Sequence, residues 1–190
     1  RLDLSVRQGE IFALLGPNGS GKTSTRRVLA TLAGFDEGSA VVAGYDVDTD
    51  PDKVRGAIGF VGQQTGVDHF LTGRENLTLH GQLYRIERRE LQRRIQELAH
   101  YFALEDSLDV PAMTYSGGMR RKLDIAASLV HNPRVLFLDE PTLGLDIASR
   151  QSLWHLIQRL NRERGLTILL TTHYLEEADR LAHRVGIINA

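Results

Sequence analysis

The chain contains no cysteine among its 190 residues, which excludes a disulfide framework and a thiolate metal site and makes an intracellular compartment the natural fit. Neither sign of charge is in excess. The 23 basic and 24 acidic residues leave a formal net charge of -1, so there is no bulk attraction to nucleic acid or an anionic membrane, and no nucleic-acid partner is expected. No apolar run approaches the roughly 20 residues of a spanning helix, and the N-terminus lacks the charged-then-apolar layout of a signal peptide. Attachment to a membrane would therefore need a partner. Internal repeats, low-complexity tracts and long linkers are also absent. What remains, 42% hydrophobic and 25% charged, is the composition of one globular domain with a sizeable core. The sequence opens inside an apparent strand, LDLSV, and closes just after another, VGIIN, so we expect a single domain over 1–190, trimmed at both ends.

Short apolar runs alternate with longer helical patterns, as in an α/β fold whose mostly parallel sheet is joined by crossover helices. EIFALLG reads as a strand, and after GPNGSG a helix is expected over Lys22 to Ala33. From Gly34 to Val61 the Gly, Asp and β-branched residues predict short strands and turns, a small antiparallel β region. Thr72 and Glu75 form a T-x-x-E capping box, and Leu91, Ile95, Leu98 and Phe102 recur at helical spacing, so about 72–105 is expected to be helical. The runs VLFLDE and TILLTT return to strand. We expect a core of 1–63 and 131–190 interrupted by a helical subdomain over about 64–130.

Three clusters carry chemistry. Gly16, Pro17, Asn18, Gly19, Ser20, Gly21, Lys22 and Thr23 match the phosphate-loop pattern G-x-x-x-x-G-K-[ST] in the strand, loop, helix context that it requires. Its glycines let backbone N–H groups turn toward phosphate oxygens, Lys22 neutralises the β and γ phosphates, and the Thr23 hydroxyl suits magnesium. The second cluster is Asp139-Glu140 at the end of VLFLDE. An apolar strand ending in two acids is, alone, more often a strand reaching solvent; beside a phosphate loop, alternation across the strand lets Asp139 face a metal and Glu140 an attacking water.

The third is YSGGMRRKLD, residues 115–124. Ser116 is a good N-cap for a helix reaching about Val130, with Leu123, Ala126, Ala127 and Leu129 toward the core. Gly117 and Gly118 are poor choices for a first turn, each costing up to about 1 kcal/mol relative to Ala in a helix interior. A backbone that must approach an anion closely would repay them, which makes this a second phosphate site. Since one nucleotide does not need both sites of one chain, the economical arrangement is a head-to-tail dimer in which each helix start caps the γ-phosphate held by the opposite loop.

With these residues in view, the chain resembles the ATP-binding cassette ATPases along nearly its whole length. GPNGSGKT is similar to the Walker A loop, Gln63 in IGFVGQ to the Q-loop glutamine, YSGGM to the cassette signature and VLFLDE to Walker B. Leu143-Gly-Leu-Asp146 resembles the D-loop, and His173 in TTHYLEEAD the switch histidine. Within the family, GVDHFLTGRENL, TYSGGMRRKLDIAASLV and TTHYLEEADRLAHRV are most similar to the ATPase subunits of daunorubicin-type drug exporters. The resemblance implies ATP and magnesium as cofactors, a second cassette (a homodimer) and a separate membrane permease as partners, and a peripheral place on the cytoplasmic face of the membrane. It implies that Lys22 and Thr23 bind phosphate and magnesium, that Asp139 joins the metal, and that Glu140 is the general base. Gln63 would approach magnesium and water, His173 the γ-phosphate. Ser116 with Gly118 would act on the partner's ATP, and Asp146 would link the two sites. One departure is Met119, where the family commonly has a glutamine. The adenine-stacking aromatic of the family lies upstream of Walker A, before the first residue here, and Phe12, inside a predicted strand, is no substitute.

The remaining conspicuous residues have plainer readings. The run from Arg85 to Arg94 interleaves acids at helical spacing, as a solvated helix face does. The histidines other than His173 lack metal-ligand spacing and read as surface or packing residues. Arg120, Arg121 and Lys122 either steer ATP or solubilise their helix. Of the alternative functions, a soluble cassette acting on ribosomes or DNA is disfavoured: in the family that the chain resembles, ribosomal types usually carry two cassettes in one chain, and chromosome-associated types insert a long coiled coil where only 116 − 63 = 53 positions, without heptads, separate Gln63 from Ser116. A small-molecule kinase or GTPase would leave SGG and His173 unexplained, and the chain lacks the Asn-Lys-x-Asp motif with which a GTPase reads guanine.

Overall fold

The strand β1 (Ile11–Leu15) is buried at every position, as are all residues but Val135 in β5 (Val135–Asp139) and all of β6 (Thr167–Thr172). Unbroken apolar strands of this kind need cover on both faces, which is the condition of a parallel sheet. In the computed structural model, which describes residues 2–17 and 19–189, these strands join β4 (Ile58–Val61) and β7 (Arg184–Ile187) in one parallel sheet of order β4-β5-β6-β1-β7. Asn18 of the phosphate loop lies outside the described residues. A separate antiparallel hairpin pairs β2 (Val41–Val42) with β3 (Tyr45–Asp46), so the expected α/β class with a small antiparallel region is observed.

Alternation along the strands divides the core in two. Ile11, Ala13, Leu136, Leu138, Ile168 and Leu170 face α3 (Gly73–Leu83), α4 (Arg88–Phe102), α5 (Gly117–Leu129), α6 (Ile147–Arg164) and α7 (Leu175–Leu181). Phe12, Leu14, Phe137 and Leu169 face α1 (Lys22–Leu29), α2 (Pro51–Ala57) and the hairpin. The helical region begins at the expected capping box, with Thr72 accepting from the Glu75 N–H while the Glu75 carboxylate accepts from the Thr72 N–H. In α4 the residues Leu91, Ile95, Leu98 and Phe102 are all buried, worth about 1.5–3 kcal/mol each in transfer from water.

Three expectations are corrected. LDLSV forms no strand: Leu4 and Val6 pack on the second core, while the backbone of residues 2–7 joins no β-ladder. The helix α1 stops at Leu29, not Ala33, because Thr31 takes a positive φ of 58° and the Leu32 N–H returns to the Arg27 carbonyl, a Schellman ending. Between the hairpin and β4, where only strands and turns were expected, Asp50 and Pro51 start α2, with proline in the first turn, where its missing N–H is not needed.

All the parallel strands end on one edge of the sheet. The segments leaving β1, β4, β5 and β6 there carry Gly16 to Thr23, Gln63, Glu140 and His173, which is where open α/β sheets bind their ligands.

Candidate functional site

The loop after β1 is shaped by its glycines. A Cβ on Gly16 would lie 2.4 Å from the Ile188 carbonyl oxygen, and Gly19 and Gly21 hold φ of 84° and 97°, the left-handed region that side chains disfavour. Gly21 is also the N-cap of α1, whose first turn contains no acid, so its positive end is left for an anion. The Lys22 ammonium donates to the carbonyls of Gly16 at 2.6 Å and Pro17 at 2.8 Å, folded back over its own loop. Ser20 buries its hydroxyl oxygen with no hydrogen-bond partner among the described residues, and Thr23 is exposed at the loop's mouth.

Asp139 and Glu140 leave β5 in different directions, as alternation requires. One Asp139 oxygen accepts from the Thr171 hydroxyl of the neighbouring strand, and the other lies 2.6 Å from Arg26 Nη1 of α1. Glu140 takes a φ of 44°, unusual for a residue with a side chain and of the kind found at functional sites. Its N–H donates to the Thr171 carbonyl at 2.9 Å, and its carboxylate meets two partners: His173 Nδ1 at 3.1 Å and Gln63 Nε2 at 3.4 Å. The three catalytic candidates, 33 and 77 residues apart in sequence, thus form one constellation.

They share with Gly19, Gly21, Lys22, Thr23 and Asp139 a cleft of about 490 Å³. Thr23, Gln63 and Asp139 offer hydroxyl, amide and carboxylate oxygens, hard donors suited to magnesium. The described residues hold no cluster of three His, Cys, Asp or Glu that could bind a metal, so such a cation would draw on phosphate and water as well.

Ser116, Gly117, Gly118 and Asp146 do not line this cleft. They form a second cluster at the starts of α5 and α6. Ser116 accepts from the Met119 N–H at 3.2 Å, the expected N-cap, and Asp146 caps α6 by accepting from the Ser149 N–H and hydroxyl at 2.9 and 2.6 Å. These two bonds also hold the Asp146 carboxyl below its ordinary range. Gly118 has a reason the sequence did not reveal: a Cβ there would lie 2.8 Å from the Ser149 hydroxyl. Gly117 has no such constraint; a Cβ on it would meet only a Leu145 methyl, at 3.5 Å.

One arginine goes unread in the sequence and a second is placed differently by the structure. Arg26 sits one helical turn after Lys22 and pairs with Asp139, so the i, i+4 spacing was the available signal that both lie on one face of α1. Arg121, read as steering ATP or solubilising its helix, does neither; it is buried and bonds to backbone carbonyls around the site. Its spacing with the buried Asp124, Ile125 and Ser128 marked the inward face of α5.

With the geometry in place, comparison with known proteins decides the family: the profile described as ABC transporter matches residues 1–143. The chain belongs to the ABC transporter family. Among its relatives in that family, it is 50% identical over 187 residues to the daunorubicin resistance ATP-binding protein DrrA2 of Streptomyces coeruleorubidus, covering 98% of this chain and 58% of that protein. It is 47% identical over 188 residues to the doxorubicin resistance ATP-binding protein DrrA of Mycobacterium tuberculosis, covering 99% of this chain and 56% of that one. The chain therefore spans less than two thirds of these relatives' length. Among solved structures, it superposes with a TM-score of 0.83 on a dimeric post-hydrolysis ATP-binding cassette bound to ADP and Pi, 29% identical, covering 98% of this chain and 84% of that one. The resemblance drawn from the motifs, to ATP-binding cassettes and to daunorubicin-type exporters, is borne out.

Proposed function

We propose that this ABC transporter chain is the ATP-hydrolysing part of a motor subunit that works as a head-to-tail dimer beneath a membrane permease and drives export of drug-like compounds. The observation that carries the reading is Glu140, held between Gln63 and His173 in the cleft that also contains the phosphate loop. In this reading Gly19, Gly21 and the α1 N-terminus receive the phosphates and Lys22 leaves its two loop carbonyls to neutralise them. A magnesium ion held by Thr23, Gln63 and Asp139 would offset charge on the β and γ oxygens. Glu140 takes a proton from a water while that oxygen bonds to the γ-phosphorus; the bond to the β-bridging oxygen breaks, and ADP and phosphate leave. His173 orients the γ-phosphate.

The second cluster acts on the partner copy. Ser116, Gly117 and Gly118, set apart from their own cleft, would close over the partner's γ-phosphate while Asp146 meets the opposite site. ATP then favours the closed pair because it touches both halves, and loss of the γ-phosphate releases them. The domain divides accordingly into a core of 1–63 and 131–190 and a helical subdomain over 64–130, whose exposed Phe70 and Leu83 offer an apolar seat for a permease helix. No helix among the described residues is long and apolar enough to cross a membrane, so this seat would place the subunit on the cytoplasmic face. The roles for which the relatives are named, resistance to daunorubicin and doxorubicin, support an antibiotic as cargo.

The test is steady-state phosphate release and light scattering on full-length protein. Glu140→Gln should bind ATP, lose at least 100-fold in turnover, and double its mass only with Mg-ATP. Normal turnover would remove Glu140 as the base.

A further inference from the structure

Arg121 lies on the signature helix α5 and is 7% exposed, yet only one of its contacts is to a carboxylate. Its guanidinium is spent on backbone. Nε donates to the Pro141 carbonyl at 2.9 Å, Nη2 to those of Asp139 at 2.9 Å and Glu140 at 3.4 Å, and Nη1 to that of Gly62 at 2.6 Å. The carbonyls of Asp139 and Glu140 belong to the two peptide units on either side of Glu140, whose orientations are its φ and ψ. The φ of 44° at Glu140 is sterically disfavoured and persists only where the surroundings over-determine it. Arg121 supplies that determination from one rigid plane.

The same side chain reaches the other half of the constellation. Gly62 immediately precedes Gln63, and Asp124, one turn along α5 and 3.4 Å from Arg121 Nη1, accepts from the Gly66 N–H at 3.2 Å. The pair therefore brackets the loop 62–66 from both ends. Burial raises the Asp124 carboxyl and lowers the Arg121 guanidinium from their ordinary values, each offset in part by the other's charge. Lysine could not replace this device, since an ammonium lacks the planar fork that reaches four carbonyls at once.

We infer that Arg121 is a positioning residue that fastens the signature helix to Glu140 and Gln63, so that seating of the helix start sets the geometry of the base. The inference rests on the hydrolytic reading above and adds to it a mechanical link, within one chain, between the signature and the base.

The experiment uses full-length protein with wild type, Arg121→Lys, Glu140→Gln and the combined variant, followed by single-turnover phosphate release, nucleotide titration and thermal melts. Arg121→Lys is expected to bind ATP within about 3-fold of wild type and to hydrolyse it at least 10-fold more slowly. In the Glu140→Gln background the same change should cost less than 2-fold, because a residue acting through Glu140 has nothing left to position. Wild-type turnover in Arg121→Lys, or losses that multiply in the combined variant, would overturn the inference alone. A wild type whose phosphate release is untouched by Glu140→Gln would overturn the hydrolytic reading and this inference with it. Should Arg121→Lys not fold, Arg121→Gln/Asp124→Asn leaves no uncompensated buried charge, and the same non-additivity decides.

Discussion

Arg26 Nη1 lies 2.6 Å from Oδ2 of Asp139, which places a buried guanidinium against the carboxylate proposed to share magnesium. Both side chains are nearly sealed from water, and burial is the main influence lowering the arginine's pKa, with the Asp139 charge opposing it. Among the described residues Nη1 makes no well-directed hydrogen bond, so the contact is an ion pair rather than a fork. A divalent cation near Asp139 must therefore share the field with a fixed positive charge. Arg26→Met should tighten Mn²⁺ binding to the ADP complex by about 3- to 10-fold, one pair interaction at an effective dielectric of about 20 being worth a few kcal/mol before screening. Metal-free, the variant should lose about 3 kcal/mol because Asp139 is left buried without its counter-ion. Unchanged metal affinity in a Mn²⁺ titration would mean that the pair does not compete with the cation.

The strands were legible because a strand buried on both faces must be apolar throughout, and the phosphate loop because its chemistry demands a fixed spacing; Gln63 and His173 were legible only through the family resemblance. Arg121 was not, since RRK reads equally as a solvated cluster until α5 is docked on β4 and β5 and one of the three points inward. Gly118 was half legible: its need for closeness was read as closeness to an anion, whereas Ser149, 31 positions away, also demands it. The disposition of Leu4 and Val6 depended on a partner strand that local pattern cannot supply.

Gly118→Ala tests which closeness matters in the free protein. The added Cβ would sit 2.8 Å from the Ser149 hydroxyl and 3.0 Å from its Cβ, and that hydroxyl is tied to Asp146 and cannot swing away. Overpacking of this kind costs about 1–3 kcal/mol. A melt of Gly118→Ala should show that loss without nucleotide, and Ser149→Ala added to it should restore part. An unaltered melt would leave the anion as the only reason for the glycine.

Ser116→Arg should separate dimerisation from nucleotide binding. The substitution removes an N-cap, about 0.5–2 kcal/mol, so Ser116→Ala is the control for that cost. In the Glu140→Gln background, Ser116→Arg should still bind ATP as a monomer but fail to double its mass, while Ser116→Ala doubles. If Ser116→Arg also doubles in sedimentation with Mg-ATP, the helix start is not at the shared interface.

Acid should loosen the joint between the helical region and the sheet through His131. Its ring stacks on Tyr84 of the C-terminal cap of α3 with centroids 3.7 Å apart, and Nε2 donates to the Ile58 carbonyl of β4 at 2.8 Å. Nδ1 is buried with no hydrogen-bond partner among the described residues, so a second proton there would find no acceptor among them. Burial chiefly, with Arg94 and His80 adding positive charge nearby, lowers the His131 pKa below its ordinary 6.5 despite the Ile58 bond; His80 is lowered by burial too. A histidine depressed in the folded state is protonated first in the unfolded one, so its contribution is whole above about pH 6.5 and is lost progressively as the pH falls below that value. His131→Phe keeps the stack and removes the titration, at a cost of about 1 kcal/mol for the lost hydrogen bond at pH 8. Urea unfolding of the two proteins should therefore give stability curves that differ most at pH 8 and converge toward pH 5, with a residual slope in both from His80. Parallel curves would mean that His131 takes its proton as readily folded as unfolded, and that the Tyr84 stack is indifferent to pH.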